Sequence, residues 1–393
     1  MDFSGDQTPV SLDARPPCGN LFAMTQLLDE PSIAQRVLDH IDNRTTDLSE
    51  ATWREPVANY RSPERLAAEV VRVFRRTPTA FCPSAALPEA GSFVARDAAG
   101  TPILAVRGDD GVVRAFRNAC RHRGAQLAND AGCEKAFVCR YHGWTYGLDG
   151  ALRHVPHAEG FPGLDRRARG LVAVDAVERG GMVFVTQDGG AQDAGLAALA
   201  DVLPPDFRVI STTQQRNAAN WKVVMEGFLE GYHIFSTHRE TFYPVQFDNL
   251  NVVETFGRHS RITFPYRNVQ KLRAVAPEAR RVGGTVTFVY HLFPNVIIAT
   301  FPYRITMAVM EPMGIDATTI VTYTLARAGD VDCNRPAVER DADFVNVGTR
   351  EDRAVVESIQ RGMASGANEF YEFGRFEGAI AHFHKGLHAA LED

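Results

Sequence analysis

Residues 120–144 read CRHRGAQLANDAGCEKAFVCRYHGW, and the order of donor groups in that stretch constrains the chain more than any other feature. Cys120-x-His122 and Cys139-x-x-His142 form two pairs with sixteen residues between them. Each pair is short enough to meet one metal atom from a tight loop. Two such loops facing each other offer two thiolates and two imidazoles. The chain has six cysteines in 393 residues, and only Cys120, Cys133 and Cys139 cluster. A disulfide framework is therefore not expected, and metal ligation is the better reading. Cys133 falls outside both pairs and reads as structural or as a free thiol.

Zinc is the simplest occupant of a Cys2His2 set. A zinc finger, however, usually places both cysteines on one loop and both histidines on another. Here each loop supplies one of each, cysteine first. A Rieske cluster, in which one iron takes two cysteines and the other two histidines, needs that arrangement. NACRHRGAQL and CRYHGWTYGLDG also resemble the cluster motif of the Rieske non-heme iron oxygenases. The resemblance implies a [2Fe-2S] cluster on Cys120, His122, Cys139 and His142. Tyr141 and Trp144 are expected to pack over it.

A second stretch, NWKVVMEGFLEGYHIFSTH (220–238), places His233 and His238 five residues apart. On a regular α-helix these point about 140° away from each other, so they converge only if the helix widens or ends between them. Non-heme Fe(II) oxygenases use two histidines and one carboxylate and leave positions open for dioxygen. TREDRAVVESIQRG (349–362) offers Glu351, Asp352 and Glu357. The order NWK, EGYH, x4-H and a distant ED resembles the catalytic domain of the same oxygenases, here the alpha (terminal oxygenase) subunit. By that resemblance His233, His238 and Asp352 ligate a mononuclear Fe(II), with Glu351 as the alternative carboxylate. Asn220 lies near the iron without ligating it. Glu230 takes the place of the usual aspartate that bridges a Rieske histidine of one subunit to an iron-ligand histidine of the next. A branch of the family acting on quaternary ammonium compounds also resembles this chain in having glutamate there.

Other clusters weigh less. Glu226 and Glu230 stand one helical turn apart and could form an acid/base pair, but partly exposed helix carboxylates are the commoner case. His384 and His388 share a helix face near His382, yet no third ligand of fitting type lies nearby, so these read as structural. Phe288, Tyr290, Leu292 and Ile298 could line a pocket or pack a core.

The rest of the chain predicts an α+β protein. Residues 1–50 read as a partly ordered extension. SPERLAAEVVRVFRR (62–76) reads as a helix, within a segment 51–78 that packs on the catalytic domain. Residues 79–190 are short apolar runs broken by Gly, Asp and Pro, an all-β unit that the resemblance makes the Rieske domain. Residues 191–393 would then be the catalytic domain, an antiparallel sheet gripped by helices. Within it, 191–206 reads as a helix and linker, 216–233 as a helix, and 285–327 as strands. From Asp343 onward the chain reads as helical in two pieces split near Gly366. A net charge of −6 argues against nucleic acid as a partner. No apolar run reaches the roughly 20 residues of a membrane span. The polar MDFSGDQTPVSLDARPP does not read as a signal peptide, so a cytoplasmic location is expected.

No G-x-G-x-x-G follows a strand, so the reducing equivalents are expected from a separate reductase, with or without a ferredoxin. The resemblance implies a homotrimer that oxidises an aromatic or other small organic substrate with O2. Ring hydroxylation in aromatic hydrocarbon catabolism and N- or O-demethylation of a methylated compound both stay open. So does a binding module or electron carrier without catalysis.

Overall fold

The computed structural model describes residues 26–189 and 202–392, with Leu196 and Leu199 between them. Two seven-stranded antiparallel sheets organise the chain. The first runs in the order Thr79–Pro83, Met182–Thr186, Ala173–Arg179, Val113–Arg117, Thr101–Arg107, Ser92–Ala98 and Asp130–Cys133. A small three-stranded sheet of Phe137–Val138, Thr145–Tyr146 and Leu152–His154 stands beside it and carries the second Cys/His loop.

The second sheet runs in the order Phe207–Asn217, Ala317–Arg327, Ile305–Gly314, Val296–Thr300, Val286–Leu292, His259–Pro265 and Val252–Phe256. Its central strands, Val296–Thr300 and Ile305–Gly314, are mostly apolar and buried because both of their faces are covered, while the edge strand Phe207–Asn217 is polar and mostly exposed. Side chains alternate between faces along a strand. Leu292, Ile298, Met307, Val309, Tyr323 and Leu325 form one core with Phe81 and Phe184 of the first sheet and Leu87 just after its first strand. Val289, Ile297, Ala308 and Ile320 face the other way, toward the helices. Phe288, Tyr290, Leu292 and Ile298 are therefore not cavity residues: Tyr290, Leu292 and Ile298 belong to the inter-sheet core, and Phe288 packs under the first helix. A buried ion pair, Arg96 to Glu311 at 2.6 Å, ties the two sheets, and Glu311 also accepts the Ala99 N–H at 2.8 Å.

Two long helices, Arg335–Met363 and Gly378–Glu392, cover the second sheet, with a short strand Phe370–Phe373 between them. That strand pairs with Trp53–Pro56 from the start of the chain. Three local expectations change. Residues 30–43 form a helix, capped by Asp29, whose carboxylate accepts the Ser32 N–H. Its buried Ile33, Ala34 and Val37 pack on Val252, Val269 and Leu272, so tertiary packing fixes a helix that a mixed composition hid. The helix starting at Ser62 is regular over Pro63–Ala68 and then widens to π-type turns over Glu69–Phe74. The segment 216–233 is helical only over Trp221–Glu226, because Arg216 and Asn217 end a long strand and Gly227 caps the helix. The helix expected at 191–206 falls largely outside the described residues.

Candidate metal centres

The two Cys/His loops are built alike. Cys120 N–H donates to Ala125 O and Cys139 N–H to Trp144 O, both at 2.8 Å. Gly124 N–H returns to Cys120 O and Gly143 N–H to Cys139 O, both at 2.9 Å. The turn closes only if its fifth residue takes a left-handed conformation, and glycine supplies φ of 80° at 124 and 73° at 143. Each loop thus presents one thiol and one imidazole from a fixed turn. The His122 and His142 rings lie 4.6 Å apart. Both thiols are buried, while His142 and Tyr141 are exposed. Trp144 is buried and stacks on His122 at 4.9 Å; Tyr141 lies over His142 at 3.7 Å. His122 Nδ1 is buried without a partner. Burial, with His142 and Arg123 nearby, holds this imidazole below its ordinary pKa and so keeps a lone pair available. Two buried thiols and an orphaned buried nitrogen fit a [2Fe-2S] cluster with mixed ligands. Tyr146 adds a group that spacing did not reveal: its hydroxyl stands 3.3 Å from Cys120 Sγ and accepts the Arg121 N–H at 2.8 Å. Cys133 lies apart, exposed and free.

The second group forms where the helix Trp221–Glu226 has ended. His233 precedes and His238 follows a four-residue helix, Ile234–Thr237, and their rings come within 5.1 Å. Ending the helix between the two histidines removes the 140° divergence. The long helix Arg335–Met363 brings Glu351 and Asp352 to them. Asp352 Oδ1 lies 2.9 Å from His238 Nε2 and 3.6 Å from His233 Nε2. Ligand atoms of His233, His238 and Asp352 all lie within 4.8 Å of one another. His238 Nε2 is buried and makes no hydrogen bond, because its 2.9 Å approach to Asp352 is not aligned for one. Two imidazoles and one carboxylate, with an unsatisfied nitrogen between them, fit a mononuclear iron. Glu351 sits elsewhere: its Oε2 meets His238 Nδ1 at 2.8 Å and accepts from Thr241 Oγ1 at 2.7 Å. Adjacent carboxylates thus grip opposite nitrogens of one ring. Burial raises the Glu351 pKa, but the bonds from His238 and Thr241 outweigh it and hold the carboxyl lower than usual.

Glu230 accepts from His233 Nδ1 in a short contact and also from the backbone N–H groups of Tyr232 and His233. Burial lowers the His233 pKa, yet Glu230, with Asp352 adding, raises it overall. An Nδ1–H fixed by Glu230 leaves Nε2 as the free donor atom facing Asp352.

Asn220 does not join this group. It is buried, caps the Trp221 helix by accepting the Lys222 N–H at 3.0 Å, and donates to Tyr60 O and Ile315 O. Glu226 is likewise not paired with Glu230; it accepts from Tyr60 Oη at 2.6 Å and meets His384 Nε2 at 2.8 Å. The third donor beside His384 and His388 does exist. Glu55 lies 3.5 Å from His384 Nδ1 and 3.1 Å from His388 Nε2, and its distance of 333 residues along the chain hid it.

His233, His238 and Asp352 open into a cavity of about 370 Å³ between the second sheet and the helices, lined also by Phe228, Phe242, Phe264, Phe301 and Phe344. Among the described residues no helix is long and apolar enough to cross a membrane.

Family comparisons agree with this geometry. Residues 77–167 match a Rieske [2Fe-2S] domain, and residues 205–393 match the catalytic domain of the ring hydroxylating alpha subunit. The carnitine monooxygenase oxygenase subunit of Escherichia coli K12 is 28% identical over 371 residues, covering 87% of this chain and 94% of that one. The glycine betaine monooxygenase oxygenase subunit of Chromohalobacter salexigens is 34% identical over 225 residues, covering 55% of this chain and 49% of that one. The crystal structure of the quaternary ammonium Rieske monooxygenase CntA with an inhibitor superimposes with a TM-score of 0.74 at 22% identity, covering 88% of this chain and 96% of that one. With both domains matched, the chain belongs to the Rieske oxygenases, as an oxygenase alpha subunit for a Rieske [2Fe-2S] cluster and a mononuclear iron.

Proposed function

We propose that the chain is a monooxygenase that demethylates a small quaternary ammonium compound by hydroxylating an N-methyl carbon. The cluster is held by Cys120, His122, Cys139 and His142, and the iron by His233, His238 and Asp352. When bound, the cluster stores single electrons and the mononuclear Fe(II) activates O2; a separate reductase supplies the electrons. The chain's own residues do the rest. Glu230 and Glu351 fix the two imidazoles through their Nδ1 atoms. The phenylalanines around the cavity keep water out and offer ring faces to a methylammonium group, which cation–π attraction favours. The observation that carries the reading is this pairing of the His233, His238 and Asp352 donors with an aromatic cavity, in a chain similar to carnitine and glycine betaine monooxygenases. The aromatic hydrocarbon role finds no support among those relatives.

The active form is a homotrimer in which each cluster serves the iron of a neighbour. Exposed side chains lie beside both centres: Val138 and Tyr141 near the cluster loops, Tyr232 and Phe235 near His233. Such a pair of patches suits a head-to-tail ring. Glu230 keeps acceptor capacity for the His142 of a neighbour, since each carboxylate oxygen has two lone pairs. Reconstitution with a reductase and NADH, with formaldehyde as the readout across methylammonium compounds and aromatic rings, tests the reaction. Diol formation from an arene without formaldehyde release from any methylammonium compound overturns it.

A further inference from the structure

The cavity below the His233, His238 and Asp352 group has a second charged wall. Arg304 stands immediately before the strand Ile305–Gly314, and Thr306 and Ala308 continue the same lining face. From Arg304 to Ala308 the lining runs four residues, about 13 Å of strand. Arg304 is 4% exposed. Its Nη2 donates to Thr306 Oγ1 at 2.9 Å, and the Phe301 ring lies 5.9 Å from the guanidinium carbon. Its Nε is buried with no partner. Among the described residues no carboxylate forms an ion pair with it. Asp341 supports the guanidinium charge only from beyond ion-pair distance; it accepts the Tyr303 N–H at 2.9 Å, and burial pushes its carboxyl up. Arg304 is the only arginine or lysine among the described lining residues; Glu230 and Asp352, the carboxylates of that lining, are both at the metal end.

Burying a guanidinium with no anion in ion-pair contact is costly. Its planar fork matches a carboxylate, and charge-assisted bonds of that kind are the strong ones. We infer that Arg304 reads a carboxylate on the substrate, so that the molecule filling this cavity points its oxidisable end toward Asp352 and a carboxylate toward Arg304. The inference rests on the reading that this cavity holds the substrate of the iron centre. A betaine, with a methylammonium and a carboxylate, has this chemistry, and so does an aromatic acid.

Titration calorimetry on the purified holoprotein tests it, with glycine betaine, carnitine, choline, carnitine methyl ester and benzoate as probes. Carboxylates should bind at least tenfold tighter than the matched compounds without one, carnitine against its ester and glycine betaine against choline. Arg304→Gln should erase that ratio by weakening the carboxylates at least tenfold, while Arg304→Lys should restore part of it. Equal binding of carnitine and its ester by the natural protein overturns the inference, as does the absence of binding by every carboxylate. If Arg304→Gln fails to fold, the ratios for the natural protein decide alone. Tight benzoate binding without binding of any methylammonium compound keeps Arg304 as the anion reader and removes the demethylation reading. Choline bound and demethylated as readily as glycine betaine does the reverse.

Discussion

Single residues divide the labour at each centre. Tyr146 directs a hydroxyl at Cys120 Sγ, and hydrogen bonds to cluster sulfurs are one of the levers on potential. Tyr146→Phe should keep the Rieske spectrum and lower the midpoint potential in a redox titration. His122→Cys should lower it further, because a thiolate adds negative charge; Rieske centres sit at roughly −150 to +300 mV against about −400 mV for all-cysteine plant-type clusters. At the second centre Asp352 and Glu351 are adjacent but touch opposite nitrogens of His238. Asp352→Ala should abolish iron binding while the cluster spectrum stays intact. Glu351→Gln should still bind iron, about 10- to 100-fold more weakly, since it loses only the group that orients a ligand. Metal analysis of both variants separates the roles, and iron loss in Glu351→Gln with retention in Asp352→Ala would exchange them.

Among the elements, the helix Arg335–Met363 matters most to the site and the C-terminal helix to stability. Gly348 lies inside the long helix, where alanine would ordinarily add about 1 kcal/mol of stability. A Cβ there, however, would come 2.1 Å from Phe242 Cζ, and Phe242 packs on His238 at 4.4 Å. The clash outweighs the propensity: Gly348→Ala should cost roughly 1–3 kcal/mol by denaturant titration and also weaken iron binding, by displacing the ring under His238. The C-terminal helix is tied to the opening strand by Glu55. Burial raises the Glu55 pKa, but the bonds and charges of His388 and His384, with Asn59, bring it down to about 2. The folded value lies below the unfolded one, so the stabilisation is present above about pH 4.5 and fades as pH falls toward 2. Glu55→Gln should lose at most about 3 kcal/mol at neutral pH, with the gap to the natural protein closing below pH 4.5 in urea melts.

The proposed ring is tested on the scale of the whole molecule. Mixed rings made by co-expressing Cys120→Ser with His233→Ala should regain part of the activity that each variant lacks alone. Size-exclusion chromatography with light scattering should give three times the mass of the chain. Well-formed mixed trimers without turnover would place electron delivery inside one subunit and remove the bridging role of Glu230. Glu230→Ala should keep the cluster and bind iron about 10- to 100-fold more weakly, as Glu351→Gln does, and with iron saturating it should still lose most coupled product formation, read as product per NADH consumed.

The sequence by itself determined the donor types and their order: one cysteine and one histidine per loop, then two histidines and a distant carboxylate. Those signals are local or carry a fixed period, as do the alternating strands of 285–327. Only the tertiary structure decided which neighbours complete them. Spacing could not separate Asp352 from Glu351, because adjacent helical residues differ by only about 100° of rotation and the deciding partner, His238, lies more than 100 residues away. It could not assign Phe288 or Tyr290 to core or cavity, because both faces of the sheet are covered and a strand's alternation does not say which face is which. Glu55 with His384 rests on a contact across the fold, and Asn220, although it caps its helix locally, is held away from the iron group by amide bonds to Tyr60 and Ile315 far along the chain. Arg304 is the sharpest case: one arginine before one strand becomes a buried, partly unsatisfied cation in the cavity only when the sheet and helices close over it.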